Sequence, residues 1–111
     1  MLNNILLVGR LVRDVEVEEL ENGGKKARIC LAVNRSYKNA EGIYETDFID
    51  CVLFEHVVSS LVEYCKKGDI IGIRGRLQSR NIEKEDGSKV KVLEVVAEKV
   101  TFLSSRKSNE E

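Results

Sequence analysis

The chain has 111 residues, of which 42% are hydrophobic and 33% charged, with a net charge of −1. This length suits one folded domain, and this composition excludes an intrinsically disordered chain. No signal peptide and no apolar run of about 20 residues is present, so we expect no membrane anchor. Cys30, Cys51 and Cys65 are too few and too scattered for a disulfide framework or a zinc site. We therefore expect a cytoplasmic protein with reduced thiols.

The first half of the sequence predicts β-strands. An apolar run over residues 5–12 indicates the first strand, and Val15 and Val17 alternate with acidic residues as a short continuation. Asn22-Gly23-Gly24 predicts a hairpin turn, after which residues 29–33 alternate as a half-buried strand. A further turn at residues 39–42 precedes a long strand over residues 44–54.

The apolar period changes after residue 55. Apolar side chains at helical spacing predict a helix over residues 56–67, with Lys66 and Lys67 in its last turn and Gly68 as its C-cap. Residues 68–80 then predict a strand, and Asp86-Gly87 marks the turn into a last long strand that we expect to be bent near Ala97.

The strand over residues 68–80 carries three arginines, Arg74, Arg76 and Arg80, at even separations. Side chains on a strand alternate faces, so an unbroken strand would project all three from one face. Gly72 and Gly75 would let this strand coil or approach another backbone closely. Residues 66–91 hold 8 Lys+Arg and 4 Asp+Glu, whereas residues 1–65 hold 7 and 11. This concentration of positive charge on one strand and its hairpin suits an extended polyanion, and we predict a nucleic-acid-binding face.

The order of elements predicts an all-β fold. Strands, one central helix and two further strands correspond to the OB-fold, a five-stranded Greek-key barrel with one helix between strands 3 and 4. We expect this domain to occupy residues 1–103 and residues 104–111 to form a short flexible polar tail.

At this point the chain resembles the bacterial single-stranded DNA-binding (SSB) family, over about residues 1–103. The segments that carry the resemblance are Met1–Asp14, Leu31–Arg35, Thr46–Ile49, Val52–Phe54, Tyr64–Gly68 and Gly75–Arg80. The resemblance implies a homotetramer that wraps single-stranded DNA without sequence preference in replication, recombination, repair or DNA uptake and transfer. It also implies no catalysis. We expect no cofactor, no metal and a cytoplasmic, nucleoid-associated location.

Unpaired bases need flat apolar surfaces for stacking, and their phosphates need cations. Tyr37, Phe48 and Phe54 stand where the family carries base-stacking aromatics, and two Phe on one strand face could otherwise be core residues. The predicted phosphate contacts are Arg10, Arg35, Arg74, Arg76 and Arg80, with Lys84, Lys89 and Lys91 as outer contacts on the hairpin. A solvated strand face is the alternative for these charges.

The chain departs from the family at three places. Ile82 and Lys91 stand where aromatics are common, so we expect weaker or more salt-sensitive binding than in a fully aromatic member. Residues 106–111 contain neither a long linker nor an acidic tip closed by Pro-Phe, so tail-mediated recruitment of enzymes is doubtful. Short tail-less paralogues share this ending, and truncation of a longer chain is the other explanation.

Other functions remain open from the sequence. An SSB-like OB subunit of a replication-restart complex, with DNA contact secondary, is the main alternative, and an RNA-binding OB domain of the cold-shock type is a third. His56 is the only histidine and has no evident catalytic partner, so we do not expect an enzyme.

Overall fold

The structure is a computed structural model that describes residues 2–105. Its elements are β1 (Ile5–Leu11), β2 (Glu16–Glu19), β3 (Lys25–Lys38), β4 (Tyr44–Phe54), α1 (His56–Tyr64), β5 (Ile70–Glu83) and β6 (Lys89–Ser104). Of the expected tail, Ser104 still belongs to β6, and residues 106–111 lie outside the described residues, as does Met1.

The strands close into a barrel. Their order is β1-β5-β6-β4-β3-β2, and β1 also pairs with β3 through Arg10 and Leu11, so five strands form a ring and β2 is added beside β3. The β4–β6 pair is parallel, and the other pairs are antiparallel. The predicted all-β barrel with one helix is therefore confirmed. Because β2 is a separate short strand, the helix follows the fourth strand and not the third.

Alternation along the strands builds the core. Leu11, Ile29, Leu31, Leu53 and Ile71 point into the barrel and are almost completely buried, as strand periodicity requires. Helix α1 covers the barrel with Val57, Val58 and Leu61, three apolar residues at helical spacing. Within residues 2–105, no helix has the length and apolarity to cross a membrane.

The helix ends earlier than the sequence predicted. Its last residue is Tyr64 and Cys65 is the C-cap, so the prediction of Gly68 as the cap is wrong, and Lys66 and Lys67 lie beyond the last turn. The backbone N–H of Lys66 donates to Asp69 Oδ2 at 2.7 Å. Gly68, at a φ of 93°, donates its N–H to the Leu11 carbonyl. These bonds form a separate turn, which competes with further helix.

The predicted bend near Ala97 is also present. Opposite Arg74 and Gly75 of β5, the pairing on β6 passes from Lys99 directly to Ala97, so Glu98 is an extra residue. A bulge of this kind bends the strand that carries it and increases local twist. The extra residue is on β6, so the alternation of side chains along β5 continues through this point.

Candidate nucleic-acid interface

The outer surface of β3, β4, β6 and β5 is continuous, and we call it the outer face. One row of paired positions crosses it from Arg28 to Val52, from Val52 to Val96 and from Val96 to Arg76. Paired residues project on the same side of a sheet. Every second residue along each of the four strands, counted from this row, therefore projects from the outer face unless a bulge intervenes.

Two phenylalanines lie on the outer face. Phe48 and Phe54 alternate with the buried residues of β4, and β4 pairs with β3 without a register shift over this stretch. Phe48 is 66% exposed and Phe54 37% exposed, which a core phenylalanine would not be. The prediction that both share a face is confirmed, and base stacking by them remains a prediction.

Tyr37 lies near the end of β3, in the hairpin that β3 forms with β4. Its ring is 63% exposed. The pairing shifts between Asn34 and Lys38, so simple alternation from Phe48 does not extend to Tyr37.

The three arginines of β5 share the outer face. Arg74 and Arg76 are exposed, and Arg80 is partly buried. Arg76 donates to Gln78 Oε1 at 3.1 Å, and its Nε lies 3.9 Å from Glu98 Oε2. The predicted common orientation is confirmed because β5 has no extra residue between these positions. Phosphate contact by these arginines remains a prediction.

Arg10 extends the outer face onto β1. It pairs with Ala32, which in turn pairs with Phe48, so Arg10 and Phe48 flank Ala32 in one row. Arg10 also donates a hydrogen bond to the Gly68 carbonyl, which ties the guanidinium to the turn before β5.

Arg35 has a different environment. Its guanidinium donates to both carboxylate oxygens of Asp47, at 2.9 and 3.1 Å, and also to Glu45. The hydrogen bond and charge of Asp47, followed by the charge of Glu45, raise the pKa of Arg35. The same hydrogen bond lowers the pKa of Asp47. Asp47 pairs with Val33, one position from the Ala32–Phe48 pair, so Arg35 turns toward the face opposite Phe48.

Two of the three lysines of the β5–β6 hairpin do not join the outer face. Lys89 and Lys91 pair with Glu83 and Asn81, and they alternate with Val90 and Val92. Since Val92 pairs with Arg80, these two lysines project from the opposite side. Lys84 lies in the hairpin turn, where its N–H donates to the Ser88 carbonyl. Ile82, opposite Val90, continues the outer face as an exposed apolar surface.

The sequence did not predict one cluster on this face, which is centred on Glu94. The Glu94 side chain is only 3% exposed, and Arg28 Nη1 donates to its Oε2 at 2.8 Å. Gln78 Nε2 donates to Oε1 at 3.3 Å, and Arg80 Nε lies 3.2 Å from that oxygen without forming a hydrogen bond. Burial alone would raise the pKa of Glu94, but the hydrogen bonds and charges of its partners outweigh burial and lower it. The outward position of Arg28 between Ala27 and Ile29 was the available signal in the sequence, but its partner is 66 residues away.

A cleft of about 200 Å³ adjoins this cluster. Its lining includes Arg13, Arg28, Asp50, Arg80 and Glu94. Among residues 2–105, no three His, Cys, Asp or Glu side chains are grouped so that they could hold a metal ion. The cleft therefore offers three guanidinium groups beside two carboxylates.

Comparisons with known proteins agree with this geometry. A family model described as "Single-strand binding protein family" matches residues 2–103. The chain is 45% identical over 108 residues to the single-stranded DNA-binding protein of Oceanobacillus iheyensis, covering 97% of this chain and 67% of the relative. It is 46% identical over 108 residues to single-stranded DNA-binding protein 1 of Lactococcus lactis, covering 97% of this chain and 72% of the relative.

A solved structure gives the same result for the fold. The Plasmodium falciparum SSB in complex with ssDNA superposes with a TM-score of 0.81 at 25% sequence identity, covering 94% of this chain and 96% of that one. This likeness over nearly the whole of both chains confirms the OB-fold.

Proposed function

The chain belongs to the single-strand binding protein family, and from that premise we propose that it binds and wraps single-stranded DNA without sequence preference. The observation that carries the proposal is the outer face, where exposed Phe48 and Phe54 share one curved surface with the arginines of β5. Aromatic surfaces accept any base, and guanidinium groups follow a backbone that every sequence shares.

The proposed path of DNA follows the outer face. Bases stack on Phe48, Phe54 and Tyr37, and each stacked base contributes roughly 1–3 kcal/mol. Phosphates contact Arg10, Arg74, Arg76 and Arg80. The hairpin residues Lys84, Lys89 and Lys91 serve as outer contacts, Lys89 and Lys91 from the other side of β5 and β6. Arg35 takes part only where a phosphate replaces its carboxylate partners, Asp47 and Glu45.

Binding by this surface should depend strongly on salt. Ile82 occupies the outer face beyond Arg80 without a ring for stacking, and Lys91 faces away from it. More of the affinity therefore comes from cations, which release counterions from DNA on binding. In this role the protein binds DNA without catalysis in the cytoplasm, during replication, recombination, repair or DNA uptake and transfer.

We further propose a homotetramer. On β1, Leu6 and Val8 are 73% and 59% exposed. In the described residues, β1 pairs with β5 over Ile5–Arg10 but with β3 only at Arg10 and Leu11, so most of one edge of β1 has no partner strand. An apolar strand with a free edge is suited to pairing with a second copy, and linked sites would bind one long strand together.

Filter binding to single-stranded DNA, duplex DNA and RNA of equal length tests the function. We expect the highest affinity for single-stranded DNA, similar affinity across homopolymer sequences, and an increase with length as wrapping begins. Equal affinity for the duplex would contradict the proposal.

A further inference from the structure

The outer face contains a buried acid where a DNA-binding surface would be expected to avoid one. Glu94 lies on β6, its side chain is 3% exposed, and it is surrounded by Arg28, Gln78 and Arg80. A lone carboxylate here would repel phosphate and would lose its hydration. Its three polar neighbours account for its burial, and they also tie two other strands to β6.

The two arginines reach Glu94 from opposite sides. Arg28 lies on β3, across β4 from Glu94, and Arg80 lies on β5. Their side chains remain 40% and 39% exposed. Each guanidinium has five N–H donors, and Glu94 accepts a hydrogen bond from Arg28 through one nitrogen only. Several donors on both arginines therefore remain for a ligand that approaches from outside.

The charge around the adjoining cleft also suits an anion. Arg13, Arg28 and Arg80 line it together with Asp50 and Glu94, which leaves an excess of one positive charge. Arginine side chains carry large rotamer entropy, so a long arginine that is already held in place loses less of it on binding phosphate.

We propose that Glu94 is a positioning residue that holds Arg28 and Arg80 as a two-arginine clamp for one phosphate of the bound strand. This inference rests on the proposed function. It adds Arg28 to the cations that contact DNA, and it gives Glu94 a role that strengthens DNA binding despite its negative charge. The clamp reaches across β4 and β6, from Arg28 on β3 to Arg80 on β5, so it joins the strand of the exposed phenylalanines to the strand of the arginines.

The substitution Glu94→Gln tests the inference because the two explanations predict opposite signs. If charge alone matters, removal of an acid from the outer face tightens binding. If Glu94 positions the arginines, E94Q weakens binding to oligo(dT) by roughly threefold to tenfold, the scale of one ordinary hydrogen bond. It also lowers the slope of log K against log[salt] by about one. The matched control is Glu98→Gln, which removes the same charge from an exposed position on the same strand and should leave affinity unchanged or slightly higher.

A second variant keeps the test decisive if E94Q folds poorly. Arg28→Gln leaves the acid in place and should lower both the affinity and the salt slope, and a loss of folded protein alone would not change that slope. In an R28Q/R80Q background, E94Q should cause no further loss. Wild-type affinity and slope in R28Q, or equal or tighter binding by folded E94Q, would overturn the inference. Failure of the wild-type protein to bind single-stranded DNA would instead overturn the proposed function.

Discussion

Gly75 of β5 lies against Val96 of β6 so closely that a Cβ atom on Gly75 would overlap the Val96 carbonyl oxygen. Gly75 pairs with Ala97, beside the bulge residue Glu98. This close contact lies between Arg74 and Arg76, so it helps to set where these two cations leave the sheet.

The substitution Gly75→Ala should therefore destabilise the fold by about 1–3 kcal/mol or more, the usual cost of forced overpacking. Gly72→Ala is the matched control in the same strand, because the nearest atom to its Cβ would be Leu103 Cδ1 at 3.6 Å, an ordinary contact. Thermal and urea unfolding would measure both. Equal stability of the two variants would show that the contact is not tight in solution.

Phe48→Ala and Phe54→Ala should each weaken binding to oligo(dT) by roughly 1–3 kcal/mol, or about 5-fold to 150-fold, because each removes one stacking surface. Phe48 is 66% exposed, so its substitution should change the free energy of unfolding little, whereas Phe54 is only 37% exposed and its substitution should lower stability more. Tyr64→Ala provides the control, since Tyr64 is an exposed aromatic on α1, away from the outer face. A loss in Y64A as large as in the Phe variants would argue against a specific stacking surface.

Arg74→Gln and Arg76→Gln should each reduce the salt slope of binding by about one, and affinity should fall most at low salt. Lys66→Gln removes one charge from the turn after α1 and serves as the comparison. Titrations of oligo(dT) binding between low and moderate salt give both quantities. Wild-type affinity that is flat over this range would contradict a binding site that relies on cations.

Leu6→Lys should shift the protein toward smaller assemblies, because it places a charge on the apolar side of β1 that we propose to be an interface. Val62→Lys is a suitable control on α1, where Val62 is 52% exposed. Light scattering at micromolar concentration would measure the mass of the assembly that each protein forms. A wild-type monomer, or an L6K variant with unchanged mass, would refute the proposed interface.

The pH dependence of stability should reveal the ion pairs of Glu94. Its pKa in the folded protein lies below the usual 4.5, so the ionised form stabilises the fold at higher pH, and this stabilisation is lost as pH falls through the folded pKa. The difference in unfolding free energy between the wild-type protein and E94Q should be constant from pH 7 to about pH 5 and shrink below it. A difference that grows on acidification would mean that Glu94 is not held ionised by Arg28.

Much of the fold followed from local patterns. The strands, the hairpin turn at Gly23 and the apolar stripe of α1 follow from alternation, glycine conformation and helical spacing, which act over a few residues. For the same reason the sequence predicted that Phe48 and Phe54 share a face, and that Arg74, Arg76 and Arg80 do. The predicted position of the end of α1 was wrong because the Asp69 side chain caps a turn that competes with the helix.

Tertiary structure determined which carboxylates pair with which arginine side chains. The sequence offered Arg35 as a cation for phosphate, but strand pairing brings Asp47 and Glu45 to its guanidinium. Alternation could place Arg28 on the outer face but could not identify its partner, because Arg28 and Glu94 are 66 positions apart and meet only where β4 and β6 pair in parallel. Local periodicity thus determined which side chains face outward, whereas the register between distant strands decided which of those cations are paired with carboxylates and which remain exposed.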